Sequence, residues 1–118
     1  MPSEPPSILF VCLGNICRSP MAEAVFAHLV DELGLKGRVG KVDSCGTGAY
    51  HQGEKADSRT LAVLAQHSIA SSCRARRLRG SDFDDFTYVL GMDAANVRNL
   101  HAQKPRGSKA IVELFGKW

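Results

Sequence analysis

Two hydrophobic rhythms alternate along this chain. Residues 8–12, ILFVC, form an unbroken apolar run of strand length, the pattern of a strand buried on both faces. Gly14 breaks the run. Val25, Phe26, Leu29, Val30 and Leu33 then recur at helical spacing up to Gly34, which predicts a helix closed by that glycine. Ser19-Pro20 marks its expected start, with serine as N-cap and proline as first helical residue. Further on, the pattern predicts a strand over 39–44, and a helix over 58–67 with Leu61, Leu64 and Ala65 turned inward. A strand over 86–91, a helix over 94–103 and a strand over 110–115 complete the series. Strand and helix alternating in this way predict an α/β fold, a small four-stranded parallel sheet with helices on both faces. Such sheets bind ligands beyond the carboxyl ends of their strands, at a switch in strand order. The glycine-rich stretch 45–57 is too long for a minimal connection and is expected to be a functional loop.

Composition narrows the classes. With 118 residues the chain is long enough for one domain, expected over 1–118, and too short for two. A net charge of +3 suits an anionic ligand and falls far short of a nucleic-acid binder. Cys12, Cys17, Cys45 and Cys73 include no CxxC pair and no Cys/His ligand spacing, so no metal site is expected. Met1 to Ser7 carries no basic region ahead of an apolar stretch, and no segment has the length of a membrane span. A cytoplasmic protein with reduced thiols is the expectation.

The candidate chemistry lies between the first strand and the first helix, in Cys12-Leu13-Gly14-Asn15-Ile16-Cys17-Arg18-Ser19. A loop this tight turns its N–H groups inward as an anion nest, and the helix behind it adds its positive end. An arginine at this position can grip two phosphate oxygens through its planar fork. The positive field favours the thiolate of a cysteine, and the serine hydroxyl can support that thiolate. These are the parts for in-line attack of sulfur on phosphorus. The plainer alternative is a buried structural cysteine followed by a capping serine. It leaves the five-residue spacing to arginine unexplained.

VCLGNICRSPMAEAVF resembles the signature of the low-molecular-weight protein tyrosine phosphatases. The similarity continues through DSCGTGAYHQGEKAD, SCRARRL and DFDDFTYVLGMDAANVRNL. It implies the flavodoxin-like fold of phosphotyrosine protein phosphatase I and hydrolysis of aryl phosphate monoesters through a cysteinyl-phosphate, without a cofactor. By that resemblance Cys12 is the nucleophile, Arg18 the phosphate clamp and Ser19 the hydroxyl beside the thiolate. Residues 13–18 (Leu13, Gly14, Asn15, Ile16, Cys17 and Arg18) bind phosphate. Asn15 and Ser44 fix the loop, Tyr50 is the aromatic wall, and Asp93 with Asn96 supports the loop. The family pattern also pairs Arg76 with Asp43, and allows Cys17 either a reversible disulfide with Cys12 or a space-filling role. The implied partners are a phosphotyrosine protein or small aryl phosphate, and inorganic phosphate or another oxyanion in the loop.

Two other readings stay open: a phosphate-binding module without turnover, and a thiol-dependent arsenate reductase using Cys73. The family takes its general acid from an Asp-Pro-aromatic motif, and none of the prolines here (2, 5, 6, 20 and 105) follows an aspartate. The general acid is therefore unassigned, with Asp93, Asp57 and Glu54 as stand-ins that nothing in the sequence positions. The acid loop and a final helix are expected to be missing, leaving impaired activity and a bare sheet face suited to self-association. The basic run Arg74, Arg76, Arg77 and Arg79 beside Asp82, Asp84 and Asp85 reads as mutual neutralisation on a solvated surface. His51 is expected at the rim of the site.

Overall fold

The computed structural model describes residues 4–14, 18–48 and 51–117. Its elements are β1 (Ile8–Cys12), α1 (Arg18–Glu32), β2 (Val42–Gly46), α2 (Ser58–Gln66), α3 (Asp82–Asp85), β3 (Tyr88–Gly91), α4 (Ala94–Gln103) and β4 (Ile111–Leu114). The strands form one parallel sheet in the order β2-β1-β3-β4. Chain order reverses at β1, which has β2 on one side and β3 on the other. The switch point therefore lies at the carboxyl ends of β1 and β3, the place where this topology sets ligand crevices. Short one-turn helices at Lys36–Arg38 and Phe115–Lys117, together with α3, were not legible in the pattern.

Side chains alternate across the sheet. Leu9, Val11, Cys45, Val89 and Val112 enter one core with Leu100 of α4, Phe83 of α3, and Leu78 and Phe86 from the neighbouring connections. The opposite face carries a smaller core of Ile8, Phe10 and Leu90, covered by Ala22 and Phe26 of α1. The expected inward stripe of α1 is only partly used: Leu29 is 45% exposed and Leu33 66%. In α2, Leu64 is buried as expected, but Thr60 is buried beside it while Ala65 faces solvent.

Gly91 sets how closely α4 approaches the sheet. A Cβ there would sit 2.9 Å from Val97 Cγ2 and 3.0 Å from both Val97 N and Asn96 Cβ. Glycine thus lets the N-terminus of α4 close against the end of β3.

Candidate active site

Cys12 is the last residue of β1 and is nearly buried, while Ser19 is fully buried. The Cys12 sulfur lies 3.0 Å from Ser19 Oγ, and the Ser19 hydroxyl also lies 3.5 Å from the Cys45 carbonyl. This corrects the capping expectation. Because α1 already includes Arg18, Ser19 stands inside its first turn, and its hydroxyl faces the cysteine. Pro20 is likewise within that turn, where its missing N–H costs nothing.

The loop is braced from β2. Thr47 N donates to Cys12 O at 2.9 Å and Gly48 N to Leu13 O at 3.0 Å, so the sheet ladder runs one step past both strands. Leu13 is 55% exposed at the rim. Asn15, Ile16, Cys17 and Tyr50 lie outside the described residues, and with them the Asn15–Ser44 pair, any Cys12–Cys17 disulfide and the aromatic wall.

Arg18 extends toward α4, where its Nη2 donates to Asp93 Oδ2 at 2.9 Å. Asp93 is also the N-cap of α4: its Oδ1 accepts from Asn96 N at 2.8 Å, and Asn96 Oδ1 accepts from Asp93 N and Met92 N. The backbone N–H of Asn96, followed by Arg18, holds the Asp93 carboxyl below the usual aspartate range. Asp93 thus caps α4 and holds Arg18 at once. His51 pairs with Glu54 at 2.7 Å on the segment after the loop.

Beneath the loop, Ser44 donates to Glu23 Oε1 at 2.6 Å and lies 3.3 Å from the Cys73 sulfur. Glu23 had no signal in the sequence, because only the rotation of α1 reveals which of its polar residues faces β2. Burial raises the Glu23 carboxyl above the usual range. Burial likewise pushes the Cys73 thiol up to about 11, leaving it protonated at neutral pH.

The basic stretch also needs correction. Asp82 is not on a solvated surface; it is 1% exposed. Arg76 reaches it at 3.0 Å through both terminal guanidinium nitrogens, Arg79 N donates to it at 2.7 Å, and Arg76 also holds Asp43 at 3.1 Å. The expected Arg76–Asp43 pair is present, joined to a buried third member. Among the described residues no group of three or more His, Cys, Asp or Glu side chains is arranged to hold a metal ion, and no helix is long and apolar enough to cross a membrane.

Cys12 thus closes the central strand at the switch point of a parallel sheet, beside the first turn of α1 that carries Arg18 and Ser19. The low molecular weight phosphotyrosine protein phosphatase model matches residues 7–118. A Schizosaccharomyces pombe protein of that name is 54% identical over 111 residues, covering 94% of this chain and 71% of the relative. Among solved structures, Primo-1 superposes with a TM-score of 0.91 at 38% identity, over 96% of this chain and 72% of that one. A Drosophila arginine phosphatase superposes with a TM-score of 0.87 at 34% identity, over 93% and 71%. The chain belongs to the low molecular weight phosphotyrosine protein phosphatase family.

Proposed function

We propose that this chain hydrolyses phosphotyrosine and related aryl phosphate monoesters through a phosphate ester of Cys12. The observation that carries the reading is the 3.0 Å contact between Cys12 Sγ and Ser19 Oγ, at the end of the central strand and in the first turn of α1. In the first step the Cys12 thiolate attacks phosphorus, an S–P bond forms and the P–O bond to the phenol breaks. Arg18 and the loop N–H groups, residues 13–18, hold the equatorial oxygens. Asp93 keeps the Arg18 guanidinium oriented across the site mouth. In the second step water attacks phosphorus, the S–P bond breaks, and the Ser19 hydroxyl stabilises the departing thiolate. Ser44 supports the loop from below, and Tyr50 supplies the aromatic wall.

These 118 residues contain no Asp-Pro pair to protonate the leaving phenolate. Within these residues the general acid is unassigned, and such proton transfer typically contributes roughly 10²–10⁴-fold. The proposed setting is the cytoplasm, with no nucleic-acid or membrane partner. Phe26, Phe115 and Leu90 line an apolar trough on the α1 side of the sheet, a surface suited to self-association.

The test is phosphate release from aryl phosphates of graded leaving-group pKa, with phosphotyrosine and phosphoarginine peptides alongside and Cys12→Ser as control. Turnover that is wholly lost in Cys12→Ser is the expected result, and a steep decline as the leaving group worsens would show these 118 residues acting without a general acid. Turnover that survives Cys12→Ser sinks the mechanism. Phosphate binding with no turnover of any ester selects a binding module instead.

A further inference from the structure

Two polar rungs tie α1 to the sheet, one helical turn apart. The upper joins Ser19 to Cys12 at 3.0 Å, and the lower joins Glu23 to Ser44 at 2.6 Å. Ser19 and Glu23 are four residues apart and so share one helix face. Cys12 and Ser44 share one sheet face, in neighbouring strands whose register sets Cys12 beside Gly46 and Phe10 beside Ser44. The lower rung has the short length of a charge-assisted hydroxyl–carboxylate bond. Cys73, from the segment after α2, stands 3.3 Å from Ser44 Oγ and also bonds Glu23. The other charges acting on Glu23 are Asp43, from β2, and Arg76, from the strap that precedes α3. An ionised Glu23 thus accepts hydrogen bonds from both a hydroxyl and a thiol. Once protonated, it presents a donor where those two donors need acceptors.

We propose that Glu23 is a positioning residue, acting through Ser44 to fix how α1 sits against β2 and hence where Ser19 meets the Cys12 sulfur. The proposal rests on the reading of Cys12 as nucleophile. Its consequence is that the Ser19–Cys12 contact follows the charge on Glu23, a residue set apart from the phosphate and from the Cys12 sulfur. Cys73 sharpens the effect, because its thiol is a second donor to the same carboxylate.

A double-mutant cycle tests this. Wild type, Glu23→Gln, Ser19→Ala and the double variant are compared from mildly acidic to mildly alkaline pH. Two readouts are taken: kcat for an aryl phosphate, and the rate of Cys12 alkylation by iodoacetate followed on the Cys12 peptide. Glu23→Gln is expected to lower both several-fold at neutral pH, and to add little once Ser19 is alanine. The wild-type advantage should shrink toward unity as pH falls and Glu23 takes up its proton. Cys73→Ala, which removes a donor to the carboxylate, should move that loss to higher pH. Ser44→Ala cuts the rung from the strand side and should lower both readouts at least as far as Glu23→Gln. Additive losses in the double variant, or a wild-type advantage that does not change with pH, overturn the proposal. If turnover is absent throughout while the alkylation cycle is coupled, the phosphatase reading fails and the positioning role stands.

Discussion

The two faces of the sheet are built differently. On the face under α3 and α4, Leu9, Val11, Val89, Val112 and Leu100 close a continuous core, and beside it Arg76 joins the buried Asp82 to the half-exposed Asp43. On the face under α1, the fully buried apolar set shrinks to Ile8, Phe10 and Leu90, and the trough beyond Phe26 and Phe115 stays open. Yet this thinner face carries Cys12, Ser19, Glu23 and Ser44. Stability and reactivity are thus divided across one sheet: the closed face holds the strands, and the other uses them as a platform for its thiol.

The division predicts unequal responses to substitution. The largest is expected for Arg76→Met, which leaves Asp82 buried without its cation. Breaking a buried pair from one side costs about 3–5 kcal/mol, read as a lower urea midpoint. Next comes a matched pair of leucines. Leu9→Ala should cost about 2–5 kcal/mol, and Leu90→Ala, the same truncation beside the open trough, clearly less. Equal losses would erase the contrast between the faces.

Titration separates two carboxyls of opposite sign. Asp93 is held below its ordinary value by Asn96 N–H and Arg18. Its contribution is therefore present above the unfolded aspartate pKa of ~3.9 and lost as pH falls through the folded one. Glu23 is raised by burial, so the native state binds the extra proton. Between ~4.3 and its folded value, stability should fall as pH rises. Urea midpoints measured against pH should lose the first slope in Asp93→Asn and the second in Glu23→Gln. A second slope that survives in Glu23→Gln would assign it to another group. The smallest effect is expected at Leu33, 66% exposed: Leu33→Gln should stay within about 0.5 kcal/mol.

What could be read from the sequence follows the range of the interactions. The Cys12–Arg18–Ser19 spacing lies within one turn-and-helix unit, so its chemistry was legible, as was the strand–helix alternation behind it. Ser19 was misjudged as a cap because capping and thiol contact demand the same small hydroxyl, and only the backbone of Arg18 decides between them. Glu23 was invisible because its partner Ser44 is 21 residues away. Asp82 was misread because charge in a sequence looks solvated until a partner such as Arg76 folds over it. The exposed Leu29 and Leu33 show the converse: helical periodicity records an apolar face without showing whether anything covers it.

The strand order has a further consequence, in time. Ile8 pairs with Val42 on one side and with Tyr88 on the other, so β1 gains its second neighbour only after most of the chain exists. At the usual ribosomal pace of roughly 5–20 residues per second, the wait for β3 lasts on the order of seconds. Until then β1 lacks its β3 neighbour, and the burial that the completed sheet gives the Cys12 thiol is incomplete. Non-local parallel pairing also makes the final closure slow for a chain of this size. A newborn molecule is therefore most open to oxidants before it has any site to protect.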